Sequence, residues 1–355
     1  MRRSILRKHR LCAPPERASV KKANYIKRFP LQPTVLIFTA ETPERLDTFL
    51  GTALDEPRSQ VARLVRNGHV AVEGKKAAKP GLKLKAGQKV TVTLPVMEPE
   101  APQAIDFDVP ILYEDDDLLV IDKPSGLTVH PAPSVREPTL VDWLKHHGIR
   151  LSTLSGEERH GIVHRLDKGT SGTMVVAKTN EAHEALSKQL QDKSMGRYYL
   201  AVVTPPLKET LTLVDRPVGR SPHNRLKMAD VPHGKPAQTL FRKLYPSRDE
   251  TQELIACKLF TGRTHQIRAH LETFSRHIIG DHLYGIKSNP DKISRILLHA
   301  YVLYFTHPVT GRDMAFTAPL PAPFLEWLQT HFETEALDET IDPDRIGTLF
   351  DAAPA

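Results

Sequence analysis

The chain has little cysteine: two in 355 residues, Cys12 and Cys257, far apart in sequence. Two distant thiols cannot form a four-thiolate zinc site, and they read as reduced cytosolic thiols rather than a disulfide framework. No apolar run approaches the length of a bilayer span, and no apolar signal-type core follows the first methionine. The cytoplasm is the expected compartment, with an Arg-rich organellar presequence as the lesser alternative. Several catalytic devices are also missing. "HGKPA" at 233–237 lacks the frame and hydroxyl of a phosphate loop, and no dinucleotide fingerprint occurs. "GTSGT" at 169–173 closes on Gly172, one position early for a nucleophile elbow. His265 and His270 are five apart, not the four of a zinc helix. The run Glu114 to Asp117, between two apolar segments, reads as a solvated turn rather than a magnesium site. No metal and no cofactor is expected.

What is present begins with charge. The net charge is +7, but residues 1–30 hold ten Lys/Arg and one acid, Glu16, so the other 325 residues sum to −2. An arm of that density suggests a polyanion partner such as RNA; the bland alternative is a solvated tail. Apolar content of 40% supports a substantial core, and the length allows two domains.

The pattern divides the chain into a basic extension (1–33), a small domain (34–95), a Pro- and acid-rich linker (96–106), a large domain (107–332) and an acidic tail (333–355), expected to be poorly packed at its end. In the small domain "TVLIFTA" and "KVTVTL" read as strands. Leu46, Phe49, Leu50 and Leu54 recur at helical spacing, and a second helix carries Val61, Leu64 and Val65 with Ser59 as its N-cap. "HVAVEGKK" reads as a hairpin turning at Glu73-Gly74. In the large domain, "ILYEDDDLLVIDKPSGLTVHP" reads strand, acidic turn, strand, Pro/Gly loop, strand. "TLVDWLKHHG" is a short helix stopped by Gly148, and "NEAHEALSKQLQDKS" a helix with Asn180 as N-cap. "TMVVAKT", "RYYLAVV" and "ELIACKLF" are strands, and "THQIRAHLETF" is helical. Strands and helices mix without regular alternation, which favours an α+β fold over a doubly wound sheet.

The segment Arg45–Leu94, with "RNGHVAVEGK" at its hairpin, resembles the small RNA-binding domain first described in ribosomal small-subunit protein four. Glu73 stands where Asn is common. The resemblance implies RNA contacts from Arg45, Arg58, Arg63, Arg66 and Lys75, with helix cations facing phosphates.

In the large domain one acid, Asp167, sits between Arg165 and Lys168 at the mouth of a Gly/Ser/Thr loop. Alone it would be a salt-bridged strand end. "HRLDKGTSG" (164–172), "RYYLAVV" (197–203), "FTGRTHQIRAHL" (260–271) and "GDHLYG" (280–285), in that order, resemble the pseudouridine synthases of the RluA/RluD type. "DKPSGLTVHP" and "GKPAQT" add to the match, which spans roughly 105–325. Thr173 stands where Leu is frequent, and Phe260-Thr261 where an acidic residue and Thr are common.

The resemblance implies a mixed, largely antiparallel sheet with flanking helices, and an isomerase that breaks the uracil–ribose bond, turns the base and rejoins it through carbon 5. Such chemistry needs one carboxylate and a closed pocket, whereas a glycosidase needs a second acid to handle water; Glu157 and Glu158 are candidates for that in sequence only. By motif, Asp167 is the essential carboxylate, as nucleophile or as base. Arg165 enters the space left by a flipped nucleotide. Tyr199, selected by register over Tyr198, stacks on the uracil and helps deprotonate carbon 5, with one ring of the pair pointing inward. Arg268 pairs with Asp167, and Ile267 packs on the base. His164 and Arg263 complete the substrate-binding candidates; His164 and His265 read as structural or RNA-contacting. Lys123 and His130 either touch phosphate or shape their loop. The expected partner is structured RNA, foremost large-subunit ribosomal RNA, and the expected state a monomer. The alternatives are a transfer RNA synthase and a non-catalytic ribosome-assembly factor.

Overall fold

A computed structural model of the chain describes residues 34–54, 56, 58–94, 105–132, 135–154, 160–285, 293–333 and 337–350. The basic arm, most of the expected linker, Glu157 and Glu158 lie outside these residues. The described residues form two compact units, one on each side of residue 102.

The N-terminal unit runs β1 (Thr34–Thr39), α1 (Leu46–Ala53), α2 (Arg58–Arg66), β2 (Val70–Val72), β3 (Lys75–Lys76) and β4 (Lys89–Leu94). Its strands form one sheet in the order β1-β4-β2-β3. The helical stripe Leu46, Leu50, Val61, Leu64 and Val65 packs on the alternating Val70, Val72, Val90 and Val92. That packing leaves Arg58, Arg63 and Arg66 exposed on α2. The helix starts at Arg58, so Ser59 lies within its first turn and is not the N-cap. Glu73 and Gly74 both adopt positive φ, 49° and 74°. A two-residue hairpin turn requires that pair of conformations.

The second unit runs β5 (Ile111–Glu114), β6 (Leu118–Lys123), α3 (Leu140–His146), β7 (Ser171–Ala177), α4 (Asn180–Asp192), β8 (Gly196–Thr204), β9 (Leu211–Asp215), β10 (Val218–Arg220), β11 (Met228–Asp230), β12 (Gln238–Pro246), β13 (Glu253–Leu259), α5 (Gln266–Glu272), β14 (His277–Ile278), β15 (Leu298–Thr306), β16 (Asp313–Thr317), α6 (Ala322–His331), α7 (Leu337–Thr340) and α8 (Pro343–Ile346). Its main sheet has the order β5-β6-β7-β15-β8-β13-β12-β9, with β14 on β8 and β16 on β15. The β7–β15 pair is parallel and the other pairs of this sheet are antiparallel. The α+β reading, with a mixed and largely antiparallel sheet, is the fold observed. At the parallel seam Gly172 has φ +116°, and a Cβ there would lie 2.1 Å from the Ala300 carbonyl oxygen. Only glycine lets the two backbones approach this closely.

Local expectations fail in three further places. Leu127–Pro131 is not a strand, because the Thr128 and Val129 carbonyls accept from Leu140 and Val141 at the start of α3. Thr179, not Asn180, caps α4 by accepting from the Ala182 N–H; the Asn180 side chain is taken by Ser152 and Thr153. Tyr198 and Tyr199 are both buried, since this central strand is covered on both faces, and Tyr198 stacks on Phe350 with ring centroids 5.4 Å apart. The same contact packs the described part of the acidic segment beyond 333; its end, 351–355, for which poor packing is expected, lies outside the described residues. Leu337, Ile346 and Phe350 join the main core.

Candidate active site

Asp167 lies on the loop that enters β7, and the loop is held from below. Lys123, fully buried at the end of β6, donates to the carbonyls of Pro124 (2.7 Å) and Leu127 (2.8 Å), with Lys168 O at 3.5 Å. Ser125 Oγ donates to Gly169 O, and the Gly126 N–H to Lys168 O. The Pro/Gly loop therefore shapes the Asp167 loop through its backbone. Burial lowers the Lys123 pKa to about 7, with the charge of Asp167 opposing the shift.

The sequence neighbours of Asp167 do not neutralise it. Arg165 donates to His130 Nε2 (3.0 Å), and Lys168 pairs with Glu137 (2.6 Å). The cation that meets Asp167 is Arg268 of α5, with Nη1 3.3 Å from Oδ2. Arg268 is gripped from behind by Asp281, to which its Nε and Nη2 donate at 2.6 and 2.8 Å. It also lies 4.7 Å from the Tyr284 ring centroid. Burial pushes the Asp281 carboxyl up, and the hydrogen bonds from Arg268 more than offset it, leaving the pKa below the ordinary value. Asp281 thus fixes the guanidinium that faces Asp167.

His265 precedes α5 in a left-handed conformation, φ 53°. Tyr284 Oη donates to Met228 O and accepts from Met228 N. Its oxygen also lies 3.1 Å from His265 Nδ1. His265 Nε2 faces Asp167 at 3.9 Å. Burial lowers the His265 pKa, against the pull of Asp167, and favours the neutral imidazole.

The reactive pocket is lined by Asp167, Tyr199, Ile267 and Arg268, with Arg165, Arg197, Arg263 and His265 at its sides. Among its lining residues Asp167 is the one carboxylate. Tyr199 is buried, and burial pushes its phenol up to about 12, so it is protonated at neutral pH. Arg263 Nε donates to Pro236 O. His164 is buried and accepts the Val175 N–H on Nε2; burial pushes its pKa down to about 3, so it is a neutral structural group.

The structure brings Asp167, Tyr199, Arg268, Ile267, Arg165 and Arg263 to one pocket and places His164 in the adjoining cavity. In the other unit Arg58, Arg63, Arg66 and Lys75 are exposed cations, whereas Arg45 is tied to Asp47 at 2.7 Å. Sequence reasoning assigned no role to Asp281, Tyr284 or Arg197. Asp281 and Tyr284 stand in "GDHLYG", and Arg197 opens "RYYLAVV", but neither motif carries in itself the distant partners of those side chains. The acidic turn brings Asp115, Asp117 and His307 together. Asp115 accepts from Tyr113, Asp117 N and Leu118 N. His307 Nδ1 accepts from Val309 and Thr310, so Nε2 carries the proton given to Asp115 and has no lone pair for a metal.

Residues 117–273 match the RNA pseudouridylate synthase family, and residues 44–90 match the S4 domain. The chain is 46% identical to an RNA pseudouridine synthase of Helicobacter pylori over 87% of this chain and 97% of that protein. It is 40% identical to the ribosomal large subunit pseudouridine synthase D of Nitrosomonas europaea, covering 80% and 83% of the two chains. The solved structure of human RNA pseudouridylate synthase domain containing 1 shares the fold, with a TM-score of 0.53, 24% identity, and coverage of 73% of this chain and 99% of that one. The chain belongs to the RluA-type RNA pseudouridine synthases and is an isomerase with an N-terminal S4 RNA-binding domain. No described helix is long and apolar enough to cross a membrane.

Proposed function

We propose that this synthase converts specific uridines of large-subunit ribosomal RNA to pseudouridine, with Asp167 as the essential carboxylate. The observation that carries the chemistry is the single acid of the pocket, faced by an Arg268 that Asp281 holds in place. One carboxylate suits an isomerisation in which water takes no part. The target base leaves its stack, because a stacked uridine cannot reach a recessed carboxylate, and Arg165 fills the gap. Asp167 acts on the ribose–uracil unit as nucleophile or base, and the glycosidic bond breaks. The base turns against Ile267 and Tyr199, and its carbon 5 bonds to ribose carbon 1′ as Asp167 leaves that carbon or returns the ribose proton it took; the carbon-5 proton passes to solvent and the freed nitrogen 1 takes one up. Tyr199 enters this step as a neutral phenol. Support for the ribosomal target comes from the names of relatives such as those of Nitrosomonas europaea and Zymomonas mobilis, the latter 38% identical over 291 residues. The exposed cations of the S4 domain supply sequence-independent phosphate contacts.

The test of the target is tritium release from uridine labelled at carbon 5, with unmodified large-subunit ribosomal RNA and transfer RNA offered separately. Release from ribosomal RNA alone is expected. Release from transfer RNA alone would overturn the target and leave the chemistry.

A further inference from the structure

Beside the reactive pocket lies a second cavity of about 490 Å³. The two share Arg165, Arg197, Gly262 and Arg263 as walls. A strand that placed its target uridine in the first would bring a neighbouring nucleotide to the second. The second cavity has Arg165, Arg197, Arg263 and Lys193 in its lining and no carboxylate.

Arg197 is the unusual member. It is 6% exposed, and its side chain makes no hydrogen bond or ion pair among the described residues. Its Nε is buried without an acceptor. A buried guanidinium left without an anion is costly, and an orphaned buried donor needs an explanation in a ligand or solvent. His164 lines the same cavity. Its Nε2 is used by the Val175 N–H, so Nδ1 carries the proton, and it too has no acceptor. Two orphan donors in one wall call for a group with several acceptor oxygens. Gly262 leaves room for this arrangement: a Cβ there would lie 2.7 Å from Arg197 Nη1. The same cavity includes the partly exposed ring of Phe260, with the Lys193 and Lys258 ammonium groups 5.7 and 5.5 Å from its centroid. An aromatic face flanked by cations is the usual platform for an unpaired base.

We propose that this cavity is a subsite for the nucleotide adjacent to the target uridine, in which Arg197 and His164 receive its phosphodiester and Phe260 stacks on its base. The assignment rests on the reading of the Asp167 pocket as the uridine site. It deepens that reading by making the neighbouring linkage a recognised part of the substrate.

The experiment uses the full chain in an Asp167→Asn background, where binding is read without turnover. A substrate RNA carries single neutral methylphosphonate linkages at successive positions around the target. With Arg197 present, one linkage next to the target is expected to weaken binding about tenfold, more than any other. Arg197→Gln and Gly262→Ala should each weaken the all-phosphate RNA about tenfold and show no further loss at that linkage. In the active background Phe260→Ala should raise KM several-fold with kcat retained. The proposal is overturned if folded Arg197→Gln binds as tightly as its parent, or if every linkage responds alike with and without Arg197. Should Arg197→Gln not fold, Gly262→Ala and Phe260→Ala decide: wild-type binding and KM in both would sink the subsite. Failure of the uridine-site reading is separate, since it shows as tritium release by Asp167→Asn.

Discussion

Replacing Asp281 with asparagine preserves shape and removes one charge, and the consequence can be worked out. Asp281 accepts two hydrogen bonds from Arg268, at 2.6 and 2.8 Å, and two from the N–H groups of Leu283 and Tyr284, at 3.0 and 3.1 Å. An asparagine offers one oxygen and one NH2, so a donor of Arg268 or of the backbone meets another donor. Arg268 keeps only 11% of its side chain exposed, so water replaces little of the loss. Removing one partner of a buried ion pair costs about 3–5 kcal/mol. Asp167 at 3.3 Å and the Tyr284 ring remain beside Arg268 and recover part of this. A net destabilisation of about 2–3 kcal/mol is expected, below that range because of the partial compensation. Activity suffers as well, because Arg268 is no longer aimed; a shift of roughly 1 Å costs on the order of a hundredfold in rate. Urea denaturation and single-turnover tritium release read the two effects. The double variant Asp281→Asn/Arg268→Met, which removes the orphaned cation too, should recover stability and stay inactive. Wild-type stability and wild-type rate in Asp281→Asn would refute the positioning argument. The acid limb gives a further check. A carboxyl whose folded pKa is depressed stabilises above its unfolded value, near 4, and loses that contribution as pH falls through the folded one; Asp281→Asn should lack this limb.

His164 and His299 resist protonation in the fold to about pH 3 and 4, because both are buried. The unfolded chain binds those protons near 6.5, so stability should fall as pH drops below that value, by about 1.4 kcal/mol per unit for each group. A urea midpoint unchanged between pH 7 and 5 would contradict this. Gly172→Ala should cost about 3 kcal/mol or more and disturb the Asp167 loop, since its Cβ would strike the Ala300 carbonyl; a melting temperature like wild type would count against the close seam. Arg63→Glu and Arg66→Glu should leave stability unchanged, weaken RNA binding, and each reduce the salt slope by about 1; an unchanged slope would remove these residues from the RNA contact.

Much of this architecture was legible because its signals are local. The stripe Leu46, Leu50, Val61 and Leu64, the Glu73-Gly74 turn and the alternating β4 strand each follow from short-range periodicity. The Asp167 motif was legible for a different reason, the order of several short motifs. What could not be read is what depends on contacts distant in sequence. Asp167 meets Arg268 across 101 residues, and nothing in "HRLD" says that Arg165 and Lys168 turn elsewhere. Asp281 acts only through Arg268. Leu127–Pro131 has a strand-like pattern, but its carbonyls are taken by α3. Composition marks 333–355 as acidic and says nothing of where it docks; the few apolar residues in its described part, Leu337, Ile346 and Phe350, decide the packing there.

The central claim is that Asp167 is the essential carboxylate of the reaction and that RNA binding does not depend on its charge. Asp167→Asn is the direct test, with RNA binding and carbon-5 tritium release measured on the same preparation. The account predicts RNA affinity close to wild type and no release above background. Release at a substantial fraction of the wild-type rate, from a variant that binds normally, would contradict it.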